Sequence, residues 1–78
     1  MPDMKAVRKR FQMKDYLLPG KESSEATFRE ENADPDAYHN AIANFLTKLG
    51  PSRVIGIQTP GIWYRISDPI TDVWYWKE

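Results

Sequence analysis

The side chains that could catalyse a reaction or bind a metal ion are few in this sequence of 78 residues. It contains no cysteine and a single histidine, His39, so thiol nucleophiles, disulfides and the usual zinc ligand sets are excluded. Carboxylates are dense at Glu30, Glu31, Asp34 and Asp36, but they lack the spacing and the central glycine of an EF-hand loop. We interpret these acids as residues at the start of a helix, where their negative charges interact favourably with the positive end of the helix dipole.

Motifs for covalent or phosphate chemistry are also missing. The serines of Ser23-Ser24-Glu25 do not lie in a G-x-S-x-G turn, and the chain has no second histidine to activate them. The four glycines are isolated, so no glycine-rich loop can hold a phosphate. The sequence therefore predicts a protein that is not an enzyme and that carries no metal and no cofactor.

A concentration of aromatic residues in the C-terminal third is the strongest functional signal. In a strand, neighbouring side chains point to opposite faces, so Trp74 and Trp76 share one face while Val73 and Tyr75 share the other. A single helix covers only one face of a sheet, so the aromatic side chains on the other face remain uncovered by it. We expect that face to be an interface with a second copy of the chain or with another protein; the interface candidates are Trp63, Tyr64, Trp74, Tyr75 and Trp76.

Three alternative roles for the aromatic residues stay open. They could line a pocket for a small ligand. They could belong to a core, if the N-terminal segment and the polar connection that follows it fold over the second sheet face. Alternatively, the basic run Arg8-Lys9-Arg10, with Arg53 and Arg65, could combine with sheet aromatics into a module that binds single-stranded nucleic acid. The net charge of zero and the absence of RNP1 and G-x-x-G patterns make nucleic acid the less favoured partner.

The clearest element in the sequence is an amphipathic helix over about 34–49. Asp34 can cap the first amides, Pro35 suits the first helical position, and Gly50-Pro51 is a stop signal. The spacing i, i+3, i+4, i+7 produces one apolar stripe, and His39 lies off it. The stripe consists of Tyr38, Ala41, Ile42, Phe45, Leu46 and Leu49.

Strands are predicted on both sides of this helix. A first strand falls within residues 4–16, where a short helix is the alternative, and further strands fall at 53–59 and 71–77. Residues 62–67 form either a strand of their own or the arm of a long hairpin loop. Residues 21–33 are polar and acidic, and we expect them to form a long, mobile connection.

Composition and charge set the broad class. With 41% hydrophobic and 13% aromatic residues, the chain is too apolar to be disordered, and its length fits one domain over 1–78. Residues 1–21 carry six basic and two acidic side chains, whereas residues 22–49 carry two basic and six acidic ones. Opposite blocks of this kind are typical of surfaces that complement each other across a two-fold axis or that orient a partner. The absence of cysteine and of a long apolar window predicts a cytoplasmic protein without a membrane segment.

The order of strand, connection, helix and strands predicts an α+β fold, in which one helix packs on a small antiparallel sheet in βαββ order. Whether the sheet has one extra strand is an open alternative. The runs Ala41-Ile42-Ala43-Asn44-Phe45-Leu46, Leu49-Gly50-Pro51 and Val54-Ile55-Gly56-Ile57-Gln58 resemble the middle of a family of very small bacterial βαββ proteins. Some members of that family are associated with sporulation. The resemblance implies the same fold, and it implies no catalytic residues.

Overall fold

The described residues of the chain fold as one α-helix on a three-stranded antiparallel sheet. The computed structural model describes residues 3–22, 27–59 and 69–78, and the bounds below refer to these ranges. The α+β class predicted from the sequence is confirmed. The helices and strands are β1 (Lys5–Gln12), α1 (Pro35–Leu49), β2 (Val54–Gln58) and β3 (Ile70–Lys77), joined by 3₁₀ turns at Met13–Asp15, Glu30–Asn32 and Pro51–Arg53.

The last strand lies at the centre of the sheet. The strand order is β1-β3-β2, and both pairings are antiparallel. β1 begins later and ends earlier than the 4–16 region predicted for it, and it is a strand rather than the alternative helix. The 62–67 segment, predicted as a strand or a hairpin arm, lies outside the described residues.

The helix forms as its sequence predicts. Asp34 accepts a hydrogen bond from the amide of Ala37 at 3.1 Å, and Pro35 occupies the first helical position. At the other end Gly50 adopts φ +92°, which favours glycine, and its amide donates to the carbonyl of Leu46 at 3.0 Å. The local chemistry at both ends thus accounts for the length of α1.

The core lies between α1 and one face of the sheet. The Phe45 ring makes edge-to-face contacts with Phe11 at 5.6 Å and with Tyr75 at 5.4 Å between centroids. The Tyr38 hydroxyl donates to Oγ1 of Thr71 at 2.8 Å, so a polar bond ties the helix to β3 inside the core. The buried apolar residues are Phe11, Met13, Ala33, Tyr38 and Val73.

The described part of the acidic connection also packs against this core. Phe28 is half-buried against the core cluster, and Ala33 is buried and pairs with Leu17 in an isolated antiparallel bridge. The amide of Leu18 donates to the carbonyl of Asn32 at 2.8 Å. These contacts fix the end of the connection on the helix side of the sheet, not over the second face. Residues 23–26 lie outside the described ranges, and the expected mobility of the connection stays a prediction.

Candidate binding face

The sheet face opposite α1 is the surface on which the candidate residues lie. The register pairs Arg8 with Trp74 and Arg10 with Asp72, so these side chains project to the same side. Phe11 and Val73 project to the helix side and are buried in the core. We call this surface the outer face; its members are Ala6, Arg8, Arg10 and Gln12 of β1, Gly56 and Gln58 of β2, and Ile70, Asp72, Trp74 and Trp76 of β3.

A half-buried ion pair occupies the middle of the outer face. The Arg10 guanidinium donates Nε–H to Oδ1 of Asp72 at 2.7 Å and a terminal N–H to Oδ2 at 2.8 Å. The Asp72 side chain is 4% exposed, whereas that of Arg10 is 39% exposed. The hydrogen bond from Arg10, which outweighs the effect of burial, holds the pKa of Asp72 below its ordinary value. The same bond raises the pKa of Arg10, so both groups are charged near neutral pH.

Beside this pair, Trp74 is held from both neighbouring strands. The Arg8 guanidinium lies over the indole, with its Cζ 6.0 Å from the ring centroid, which is a cation–π contact. On the other side, the indole Nε1–H donates to Oε1 of Gln58 at 3.1 Å. Contacts on two strands fix the orientation of the ring, so Trp74 is a pre-positioned aromatic surface.

Trp76 is the most exposed aromatic side chain of the outer face within the described residues. It is 41% exposed, and its strand partner is the small Ala6. Its backbone carbonyl accepts a hydrogen bond from Nε of Arg53 at 3.1 Å, which anchors this end of β3 to the turn before β2. A large indole is therefore presented to its surroundings from an anchored backbone.

The structure separates the five aromatic interface candidates. Trp74 and Trp76 lie on the outer face, as the alternation predicts, and this part of the prediction is confirmed. Tyr75 lies on the helix side, where it packs against Phe45. Trp63 and Tyr64 lie outside the described residues. Of the three candidates within the described residues, the outer face thus carries two as neighbours.

The basic candidates are separated as well. Arg8 and Arg10 lie on the outer face, but Arg10 is bound to Asp72. Lys9 points to the helix side, where its Nζ lies 5.5 Å from the centroid of the Phe11 ring. Arg53 lies in the turn before β2, and Arg65 is outside the described residues. Within the described residues, Arg8 contacts the ring of Trp74, and Arg53 contacts only the backbone carbonyl of Trp76.

Two residues of this face were not singled out from the sequence. Asp72 lies inside a strand that is mostly apolar and aromatic, and an acid at such a position indicates a buried partner. The sequence could therefore have predicted a buried partner for Asp72. Gln58 carries no comparable signal, because a glutamine at the end of a strand is an ordinary solvent-exposed residue.

His39, the single histidine of the sequence, lies in α1. His39 is exposed, and its ring lies 5.5 Å from that of Tyr38. In residues 3–22, 27–59 and 69–78, histidines and acids form no group of three or more that could hold a metal ion. Over the same residues, no helix has the length and apolarity needed to cross a membrane.

Comparison with known proteins identifies no relative of this chain. No family model, no curated protein and no solved structure matches the chain. The resemblance seen in residues 41–58 to very small bacterial βαββ proteins stays a prediction.

Proposed function

We propose that this protein is a small, non-catalytic binding and assembly protein that self-associates as a homodimer through its outer face. The observation that carries the proposal is Trp76, 41% exposed beside Trp74 on the sheet face opposite the helix. We further propose a cytoplasmic location, which the cysteine-free sequence supports.

The area of the outer face favours a protein contact. A tryptophan side chain can bury about 150–250 Å² and is enriched in protein interfaces. A chain of this length buries only about 60–65% of its unfolded surface within itself, so covering further apolar area between copies adds stability. An interface centred on Trp76 would supply that burial.

The charge of the outer face favours a second copy over a polyanion. Its charged side chains in the described strands are Arg8, Arg10 and Asp72, and two of these three neutralise each other. In a two-fold contact the same surface meets itself, and a nearly neutral surface does so without strong repulsion. The opposite charges of segments 1–21 and 22–49 can then contribute at the rim of the contact.

Sedimentation equilibrium at about 100 μM tests this proposal. We expect a wild-type mass near twice the monomer mass of 9.1 kDa, and a monomer for Trp76→Ser. Ile57→Ser is the matched control: Ile57 is 51% exposed but lies on the helix side, so this variant should remain a dimer. A monomeric wild type, or equal loss of dimer in both variants, contradicts the proposal.

One observation favours a second candidate, a module for single-stranded nucleic acid. Arg8 and Trp74 are in contact on the same face, and a cation next to a stacking ring is what such modules use. In that case a single-stranded oligonucleotide would quench the tryptophan fluorescence, and the affinity would fall steeply with salt. Unchanged fluorescence at low salt rejects this candidate and leaves self-association as the function of the face.

A further inference from the structure

A shallow groove on the helix side of the molecule combines an apolar floor with a basic rim. It lies between the last turn of α1 and the end of β3, and its volume is about 280 Å³. Its apolar lining residues, which we call the floor, are Phe45, Leu49 and Tyr75; its basic lining residues, which we call the rim, are Lys48, Arg53 and Lys77. We call this hollow the basic groove.

The three rim cations are not neutralised by the described part of the chain. Ion pairs there join Arg10 to Asp72, Lys14 to Asp15 and Arg29 to Glu31, and none involves the rim. Nε of Arg53 donates to a backbone carbonyl, which leaves its positive charge uncompensated. The rim therefore concentrates positive charge next to apolar surface.

The strand register is a second observation that favours an anionic ligand at the basic groove. Lys77 lies directly opposite Lys5 in the β1–β3 pairing, and like charges in this position destabilise a sheet. Lys5 and Lys77 also line a neighbouring hollow with Glu78, but no ion pair within the described residues joins either lysine to that carboxylate. An unfavourable local arrangement of this kind is commonly retained where it serves binding. An anionic ligand at the basic groove would relieve the repulsion.

From these observations we propose that the basic groove binds an acidic protein segment that carries an apolar side chain. The floor would accept the apolar side chain, and the rim would pair with its flanking carboxylates. The open shape fits a segment that lies across a surface, because small-molecule sites enclose most of their ligand. Phe45 and Tyr75 are packed edge to face on each other, so they are poor platforms for stacked bases, and a peptide is favoured over a nucleic acid.

The basic groove and the outer face can be occupied together. The groove opens on the layer of α1, whereas Trp74 and Trp76 project from the opposite side of the sheet. A dimer formed through the outer face would display two such grooves and could bind two acidic segments. The groove proposal does not require the dimer, and each can fail without the other.

The probe for this site is a fluorescein-labelled pentapeptide with one phenylalanine between two pairs of glutamates. We expect saturable binding by fluorescence anisotropy at low salt, weakened by added salt because surface charges are screened. The double variant Lys48→Ala/Lys77→Ala should weaken binding by about tenfold or more. Its melting temperature should be no lower than that of the wild type, since Lys77→Ala also removes the repulsion with Lys5.

The matched control is Lys9→Ala/Lys21→Ala, which removes the same charge outside the groove and should bind the probe as the wild type does. A peptide with glutamines in place of glutamates should bind at least about tenfold more weakly, and so should one with serine in place of phenylalanine. The proposal is overturned by any one of three results: no binding up to about 1 mM, equal weakening in both double variants, or groove-dependent binding of a single-stranded oligonucleotide instead of the peptide.

Discussion

Arg10 and Asp72 are 62 positions apart in the sequence and directly opposite each other in the sheet, joined by two hydrogen bonds of 2.7 and 2.8 Å. The planar fork of the guanidinium matches the carboxylate, so the pair fixes orientation as well as proximity. A slip of one residue in β3 would turn Asp72 toward the apolar core. The ion pair therefore specifies the register that brings Trp74 and Trp76 to the outer face.

Removing the charge of Asp72 should destabilise the fold. Asp72→Asn keeps the shape of the side chain but removes its negative charge and replaces one of the two acceptor oxygens by an NH2 donor that faces the guanidinium. We expect a loss of about 1.5–3 kcal/mol in the free energy of unfolding. The partial exposure of Arg10 limits the cost of leaving it unpaired. Urea denaturation of the two proteins measures the difference. Glu31→Gln is the control, because its ion pair with Arg29 is long and exposed and should change stability by less than about 0.5 kcal/mol.

The same pair makes stability depend on pH in a defined direction. The hydrogen bond from Arg10 lowers the pKa of Asp72 below its ordinary value of 3.8, so the folded state binds that proton less readily than the unfolded state. This contribution is fully present above about pH 5 and is lost as the pH falls through and below the ordinary value. The stability difference between wild type and Asp72→Asn should thus shrink in acid. A constant difference from about pH 7 down to about pH 2 contradicts this assignment.

The buried hydroxyl of Tyr38 should contribute to the attachment of the helix. It donates to Thr71 at 2.8 Å and lies 3.3 Å from the carbonyl of Phe11, so Tyr38→Phe leaves buried acceptors without this donor. We expect a loss of about 1–2 kcal/mol, measured by chemical denaturation. Thr71→Val removes the partner as well. In the double variant the two losses should not add, and full additivity would show that the pair does not interact.

Phe45 should be the most sensitive position of the helix stripe. Its ring contacts Phe11 and Tyr75, which belong to different strands, so Phe45→Ala opens a cavity between α1 and the sheet. We expect a loss of about 3 kcal/mol, a large part of the stability of so small a domain. Asn44→Ala, on the exposed side of the same turn, is the near-neutral control. A melting temperature of Phe45→Ala within a few degrees of the wild type would mean that the sheet does not depend on this contact.

The helix is where sequence reasoning was most accurate. Its cap at Asp34, its first residue Pro35 and its end before Gly50 are set by hydrogen bonds and backbone angles within a few residues. The division of the β3 side chains between the two sheet faces is also set locally, because alternation along a strand follows from backbone geometry. For these features a few neighbouring residues contain all the information that is needed.

The candidate site was predicted less completely, since its members come from three strands. Sequence proximity suggested that Arg8, Lys9 and Arg10 act together, yet the pleat sends Lys9 to the helix side, and Asp72 binds Arg10. Likewise Trp74 and Tyr75 are neighbours in the sequence but lie on opposite faces, and Tyr75 belongs to the core.

The α+β class, the helix with both its ends and the shared face of Trp74 and Trp76 could be predicted from the amino-acid sequence, because they depend on short-range geometry and on the period of apolar residues. The three-dimensional fold was needed to show that β3 lies at the centre of the sheet, that Arg10 is neutralised by Asp72, and that Lys48, Arg53 and Lys77 meet around one groove. Those facts depend on the pairing of strands far apart in the chain. Pairing is chosen by the total burial and hydrogen bonding of the whole sheet, which no local pattern records.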